Sequence, residues 1–264
     1  MGEVIVITSG KGGVGKTTTS ANLGAGLASL GNKVCLIDAD IGLRNLDVVM
    51  GLENRIVYDL VDVTGGNCSF RKALIKDKRF ENLFLLPAAQ TKDKTAVNPD
   101  QMRALCEEIK EDFEYVIVDC PAGIEQGFRN AIAGANQAIV VTTPEVSAVR
   151  DADRIIGLLE KEDLREPKLV VNRLRYQMVK HGDMMSIDDI IEILAVDLIG
   201  VVPEDELVVV STNRGEMVVM NNSSKSGQAY RNIVRRIKGE DVPMMDLDEG
   251  GSFMSKLRRL IGLK

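Results

Sequence analysis

"EVIVITSGKGGVGKTTTSANLGAGLASLG", residues 3–31, reads as a strand, a glycine-rich turn and a helix in one run. Residues 3–9 are apolar without polar alternation, the pattern of a strand covered on both faces. Residues 17–31 carry a helical pattern that ends on Gly31, a residue suited to closing a helix. Between them, "GKGGVGKT" (10–17) satisfies G-x-x-x-x-G-K-[ST] in the required strand–loop–helix context. Glycines permit positive φ, so successive N–H groups can turn toward one anion, and the helix N-terminus adds partial positive charge. The pattern points to a phosphate cradle made by Gly10, Lys11, Gly12, Gly13, Val14, Gly15, Lys16, Thr17 and Thr18. Lys16 is placed to reach β- and γ-phosphates, Thr17 to offer its hydroxyl to Mg²⁺, and Thr18 to support the α-phosphate.

The same alternation continues along the chain. Val- and Ile-rich runs recur at 33–39, 82–88, 114–120, 137–143, 167–173 and 197–203, with helical patterns at 147–162 and 186–196 between them. The second of these opens with Ser186 and Asp189 at capping-box spacing. Such alternation predicts an α/β fold with a doubly wound, mainly parallel sheet, here of the P-loop NTPase kind. A chain of 264 residues, 45% hydrophobic and 27% charged, suffices for one large domain. The net charge of −6 argues against whole-protein affinity for nucleic acid. Cys35, Cys68, Cys106 and Cys120 form no C-x-x-C pair, as expected for reduced thiols. His181, the single histidine, is expected at the surface, which disfavours histidine-based metal or triad chemistry. Neither a secretory signal nor a membrane-spanning run is present, so a cytoplasmic chain is expected.

Carboxylates follow at the strand ends. Asp38 and Asp40 alternate at the end of the second apolar run, so both can face one site on the edge where ligands of open α/β sheets collect. Asp119 ends "YVIVD" (115–119), placed as a Walker B aspartate to hold a Mg²⁺ shell through water. Lys11 is less easily placed. Spacing alone leaves it either a solvated loop lysine or a cation projecting toward phosphates on a facing subunit.

The K-G-G-x-G-K-[ST] loop resembles the deviant Walker A motif of the MinD/ParA ATPases. "DADIGLRNLDVVMGLENRIVYDLVD" (38–62), "ALIKDKR" (73–79), "LLPAAQTKDK" (85–94), "VDCPAGIE" (118–125), "TTPEVSAVRDADRI" (142–155) and "GVVPED" (200–205) extend that resemblance over essentially the whole chain. It implies an ATP- and Mg²⁺-dependent ATPase that pairs with itself, with Lys11 crossing to the partner's nucleotide. It implies catalytic roles for Lys11, Lys16 and Asp40, the last orienting the attacking water. Thr17, Asp38 and Asp119 then attend the metal, while Asp119 and Gly123 act as a nucleotide-sensing switch. Asn172, with Pro203 and Asp205 of a companion loop, is implied to bind the adenine. The helix from residue 147, through Val149, Asp151 and Arg154, resembles the partner-binding surface. The partners implied are MinC, and MinE or another topological regulator, in control of septum placement.

The composition changes at the C-terminus. "GEDVPMMDLDEGG" (239–251) is acidic and glycine-bearing, which divides the chain into an ATPase domain (1–238), a flexible linker (239–251) and a terminal helix (252–264). At 100° per residue, Phe253, Met254, Leu257, Leu260 and Ile261 share one face; Arg258 and Arg259 lie opposite and Lys256 flanks it. Twelve helical residues extend about 18 Å, short of the roughly 30 Å hydrocarbon core, so such a helix would lie in an anionic interface. Reversible peripheral attachment to the cytoplasmic face of the cell membrane is therefore expected. Alternatives are a flagellar-number regulator of the FlhG type and a ParA-type DNA partition ATPase. The first usually carries an N-terminal extension; the second calls for a DNA-binding basic surface. An iron–sulfur carrier would need matched cysteine ligands.

Overall fold

The computed structural model describes residues 2–246, the Lys94 side chain excepted. Each expected apolar run forms a strand: β1 (Glu3–Thr8), β2 (Val34–Asp38), β4 (Leu83–Leu86), β5 (Tyr115–Asp119), β6 (Gln137–Thr142), β7 (Lys168–Leu174) and β8 (Leu198–Pro203). One short strand, β3 (Ile75–Lys76), was not expected; it pairs antiparallel with β4 at the sheet edge and is too short to show a period. The helices are α1 (Lys16–Ser29), α2 (Leu46–Met50), α3 (Leu60–Thr64), α4 (Phe70–Ala73), α5 (Pro99–Ile109) and α6 (Gln126–Ile132). They continue with α7 (Val146–Lys161), α8 (Tyr176–His181), α9 (Ile187–Leu194), α10 (Glu206–Asn213) and α11 (Lys225–Ile237).

The eight-stranded sheet has the order β3-β4-β2-β5-β1-β6-β7-β8 and is parallel except at β3. Successive β1 residues feed two cores. Val4 and Val6 join Cys35, Val116 and residues of α5, α6, α7 and α9 on one face. Ile5 and Ile7 join Leu36, Ile117 and residues of α1, α2 and α11 on the other. Both faces are therefore covered, which is why these strands lack polar alternation.

Local signals work as expected at several ends. Gly31, at φ 90°, follows the cap residue Leu30 of α1. At α9, Asp189 N–H donates to Ser186 Oγ at 3.1 Å and Ser186 N–H to Asp189 Oδ2 at 3.3 Å. The start of the expected linker differs. Arg236 donates at 2.8 Å to each of Ile199 O, Val242 O and Pro243 O, and Met245 packs on the core. Residues 240–245 therefore lie along the domain. Residues 247–264, with Phe253, Met254, Lys256, Leu257, Arg258, Arg259, Leu260 and Ile261, lie outside the described residues. No helix among the described residues is long and apolar enough to cross a membrane.

Candidate nucleotide-binding site

The chain leaves β1 toward β2 on one side, and β6 later returns on the other side of β1. The glycine-rich loop thus stands at the C-terminal edge of a central strand, where connections diverge and ligands collect. Gly13 and Gly15 have φ of 80° and 100°, angles that favour glycine. No side chain caps α1, so its first N–H groups remain for a bound anion. Lys16 is buried and its ammonium donates to Ser9 Oγ at 2.9 Å; Ser9 Oγ donates in turn to Lys11 O at 2.7 Å. Ser9 had no assigned role in the sequence, yet it organises both the loop and its lysine.

Lys11 behaves differently. Its Nζ donates to Ser147 Oγ at 3.2 Å and lies 3.9 Å from Glu145 Oε2, with the side chain 46% exposed. It reaches across to the start of α7.

The register sets Asp38 beside Asp119 at the ends of β2 and β5. Both are buried, and burial raises both carboxyl pKa values above the ordinary 3.8. Asp119 accepts from Ser20 Oγ at 2.8 Å and from the Thr17 hydroxyl. Asp38 Oδ1 accepts Asp40 N–H at 3.0 Å, while Oδ2 accepts the N–H groups of Asn45 at 3.2 Å and Leu46 at 3.1 Å. It therefore shapes the loop that carries Asp40 as well as adding charge. Among the described residues no cluster of His, Cys, Asp and Glu could hold a metal by itself. Two raised carboxyls beside the Thr17 hydroxyl instead suit a magnesium ion that takes its other ligands from phosphates and water. Gly123, at φ 93°, turns the loop just beyond Asp119.

An AAA-domain family model matches residues 2–169. The chain is 60% identical to the septum site-determining protein MinD of Bacillus subtilis, over all of both chains. The chain belongs to the MinD family. The MinD of Synechocystis is 57% identical over 98% of each chain. Among solved structures, an Aquifex aeolicus MinC:MinD complex matches at 51% identity and TM-score 0.87, covering 92% of this chain and 99% of that one. A MinD from Pyrococcus horikoshii complexed with Mg-ADP matches at 29% identity and TM-score 0.82, covering 90% and 96%. A ParA-family ATPase from Chlorobium tepidum, 19% identical at TM-score 0.74, shares the fold alone.

Several expected site residues of this MinD-family chain also hold parts of the protein itself. Asn172, expected at the adenine, has its amide on the phosphate loop: Nδ2 donates to Val14 O at 2.8 Å. A Cβ on Gly15 would lie 2.2 Å from that nitrogen and would displace the Asn172 amide, at a position whose φ of 100° already favours glycine. Asp205 is in the expected loop beside Pro203, but its carboxylate serves the protein. It accepts Leu207 N–H at 2.9 Å, Ser224 Oγ at 2.6 Å and Ser226 N–H at 3.3 Å, joining the starts of α10 and α11. Pro203 O accepts Ser226 Oγ at 2.8 Å.

Val149 is a correction. It is buried in the core, so it cannot belong to a partner surface. The exposed side of α7 is carried by Val146, Ser147, Arg150, Asp153 and Arg154; Asp151 is half-buried against the loop, where a Cβ on Gly10 would meet its backbone at 2.2 Å. The buried positions Ala148, Val149, Ala152, Ile155, Ile156 and Leu159 follow the i, i+3, i+4 helical period, a signal present in the sequence.

Proposed function

We propose that this chain is an ATPase that controls septum placement, acting as a nucleotide-gated dimer that recruits MinC to the membrane. The observation that carries the reading is the pair of lysines in one loop: Lys16 buried toward the phosphate cradle and Lys11 turned out to Ser147. The glycine loop and α1 bind the phosphates, with Lys16 on the β- and γ-groups. Magnesium, when bound, neutralises phosphate charge. Thr17, Asp119 and Asp38 would hold it, and Asp40 would orient the attacking water. Lys11 leaves Ser147 for the facing subunit's phosphates, so turnover needs a pair. The Pro203 side of the pocket covers the base, and Gly123 reports the phosphate through its backbone. The Mg-ADP complex of the Pyrococcus relative supports this cofactor set.

The Aquifex complex supports MinC as partner. In this reading the exposed side of α7 is one contact surface. MinE, or a polar regulator in its place, would stimulate hydrolysis. Residues 252–264, as an amphipathic helix joined through the acidic 247–251, bind an anionic bilayer weakly as one copy and firmly as two. Sedimentation with anionic vesicles tests the scheme. The full chain should pellet with ATP and stay soluble with ADP, and removal of 253–264 should abolish pelleting while nucleotide binding persists. Pelleting that survives the truncation would refute the membrane role.

A further inference from the structure

The segment "ALIKDKR" (73–79) has no part in the site above, yet its last residue reaches two helices that start there. The Asp77 carboxylate is wholly buried and grips Arg79, with Oδ1 3.0 Å from Nε and Oδ2 2.6 Å from Nη2. The guanidinium held this way donates through Nη2 to Met50 O at 2.8 Å and through Nη1 to Gly215 O. Met50 ends α2, and Gly215 lies just past α10.

The other ends of those helices lie at the nucleotide site. The first N–H of α2, on Leu46, is held by Asp38 Oδ2, while Oδ1 of the same carboxylate holds Asp40 N–H. The loop of Pro203 and Asp205 leads directly into α10. Two short helices thus run from the aspartate loop and the base-side loop to one joint. There the backbones touch: Gly51 and Gly215 have φ of 66° and 65°, and a Cβ on Gly215 would lie 2.6 Å from Gly51 Cα.

We propose that Arg79 is a positioning residue for ATP hydrolysis, clamping the far ends of α2 and α10 so that the Asp38–Asp40 loop keeps its place against the base-side loop. A five-residue helix is a lever about 7.5 Å long, so a tilt of α2 about the clamp moves its first residue, Leu46, and the loop before it that carries Asp40, by about 0.1 Å per degree relative to Asp38, which is fixed in β2. Phosphoryl transfer depends mainly on positioning and tolerates such errors poorly. Arginine suits the task because its planar fork satisfies both oxygens of a carboxylate and two carbonyls together, four acceptors where an ammonium has three donors.

The inference rests on the ATPase reading, and the experiment separates the two. Full-length wild type, Arg79→Lys and Gly215→Ala are compared in ATP turnover, extrapolated to saturating protein, and in fluorescent ADP binding. Arg79→Lys keeps a cation beside Asp77, and Gly215→Ala disturbs the joint from its other side, so the proposal does not depend on one variant folding. Both should bind ADP within about twofold of wild type while kcat falls about tenfold and KM moves less. The double variant should be no worse than the poorer single one, because both act on one joint. Hydrogen exchange should quicken together in residues 46–51 and 206–215 but not in α1. Unchanged kcat overturns the clamp, as does a kcat loss matched by equal loss of ADP affinity or by faster exchange throughout. Absence of turnover in the wild type would instead defeat the ATPase reading.

Discussion

Lys11 and Lys16 share one loop and meet opposite environments. Lys16 is buried against Ser9, whereas Lys11 sits half-exposed on Ser147 with Glu145 nearby. Exposed contacts of that kind contribute little, so Lys11 is readily released to another acceptor. Lys11→Ala should therefore leave ADP affinity intact while ATP-dependent dimers vanish in light scattering and turnover falls about a thousandfold, as for a cation supplied in trans. Wild-type turnover in that variant would remove the trans role. Asn172 offers a contrasting test. Without its amide, Val14 O loses a buried partner and the loop a restraint, so Asn172→Ala should weaken ADP and ATP alike by about 1–2 kcal/mol, roughly tenfold in Kd. Equal ADP affinity in the variant would show that the loop holds its shape unaided.

At the scale of elements, α10 and α11 meet through Asp205. Burial pushes the Asp205 carboxyl up, but the Ser224 hydroxyl and the N–H groups of Leu207 and Ser226 outweigh it and hold its pKa below 3.8. Asp205→Ala removes an N-cap and the tie to Ser224, and should lower unfolding free energy by about 2 kcal/mol in urea titration. A purely base-binding Asp205 would leave that titration unchanged. The β3–β4 region carries a similar lesson. Sequence patterning placed β4 and missed β3, because two residues show no period while antiparallel pairing at an edge depends on a neighbour. The Ser186–Asp189 box was legible because both partners lie within one turn of α9.

For the whole molecule, one electrostatic liability is the Asp38–Asp119 pair, raised first by burial. A carboxyl with a raised folded pKa favours its protonated form. Its penalty is absent well below 3.8, grows as pH rises through that value, and is complete above the folded pKa. The nucleotide-free protein should therefore lose stability from this pair progressively as pH rises from about 4 to about 8. Tm measured across that range should decline less in Asp38→Asn, and magnesium nucleotide should flatten the wild-type curve. A variant that tracks the wild type at every pH would show that the pair carries no such penalty.

Sequence alone determined the strand–helix alternation, the phosphate loop and the strand-end positions of Asp38 and Asp119, because each depends on residues close together in the chain. Only the tertiary structure decided what those groups touch. Asn172 meets Val14 across 158 positions, Val219 N–H meets Asn22 Oδ1 across 197, and Arg79 joins two helix ends that no local pattern relates. Periodicity can say which face of a strand or helix is apolar. Which buried amide, carboxylate or guanidinium satisfies a given carbonyl is settled when the sheet brings distant segments to one edge, since a buried polar atom must find its partner there.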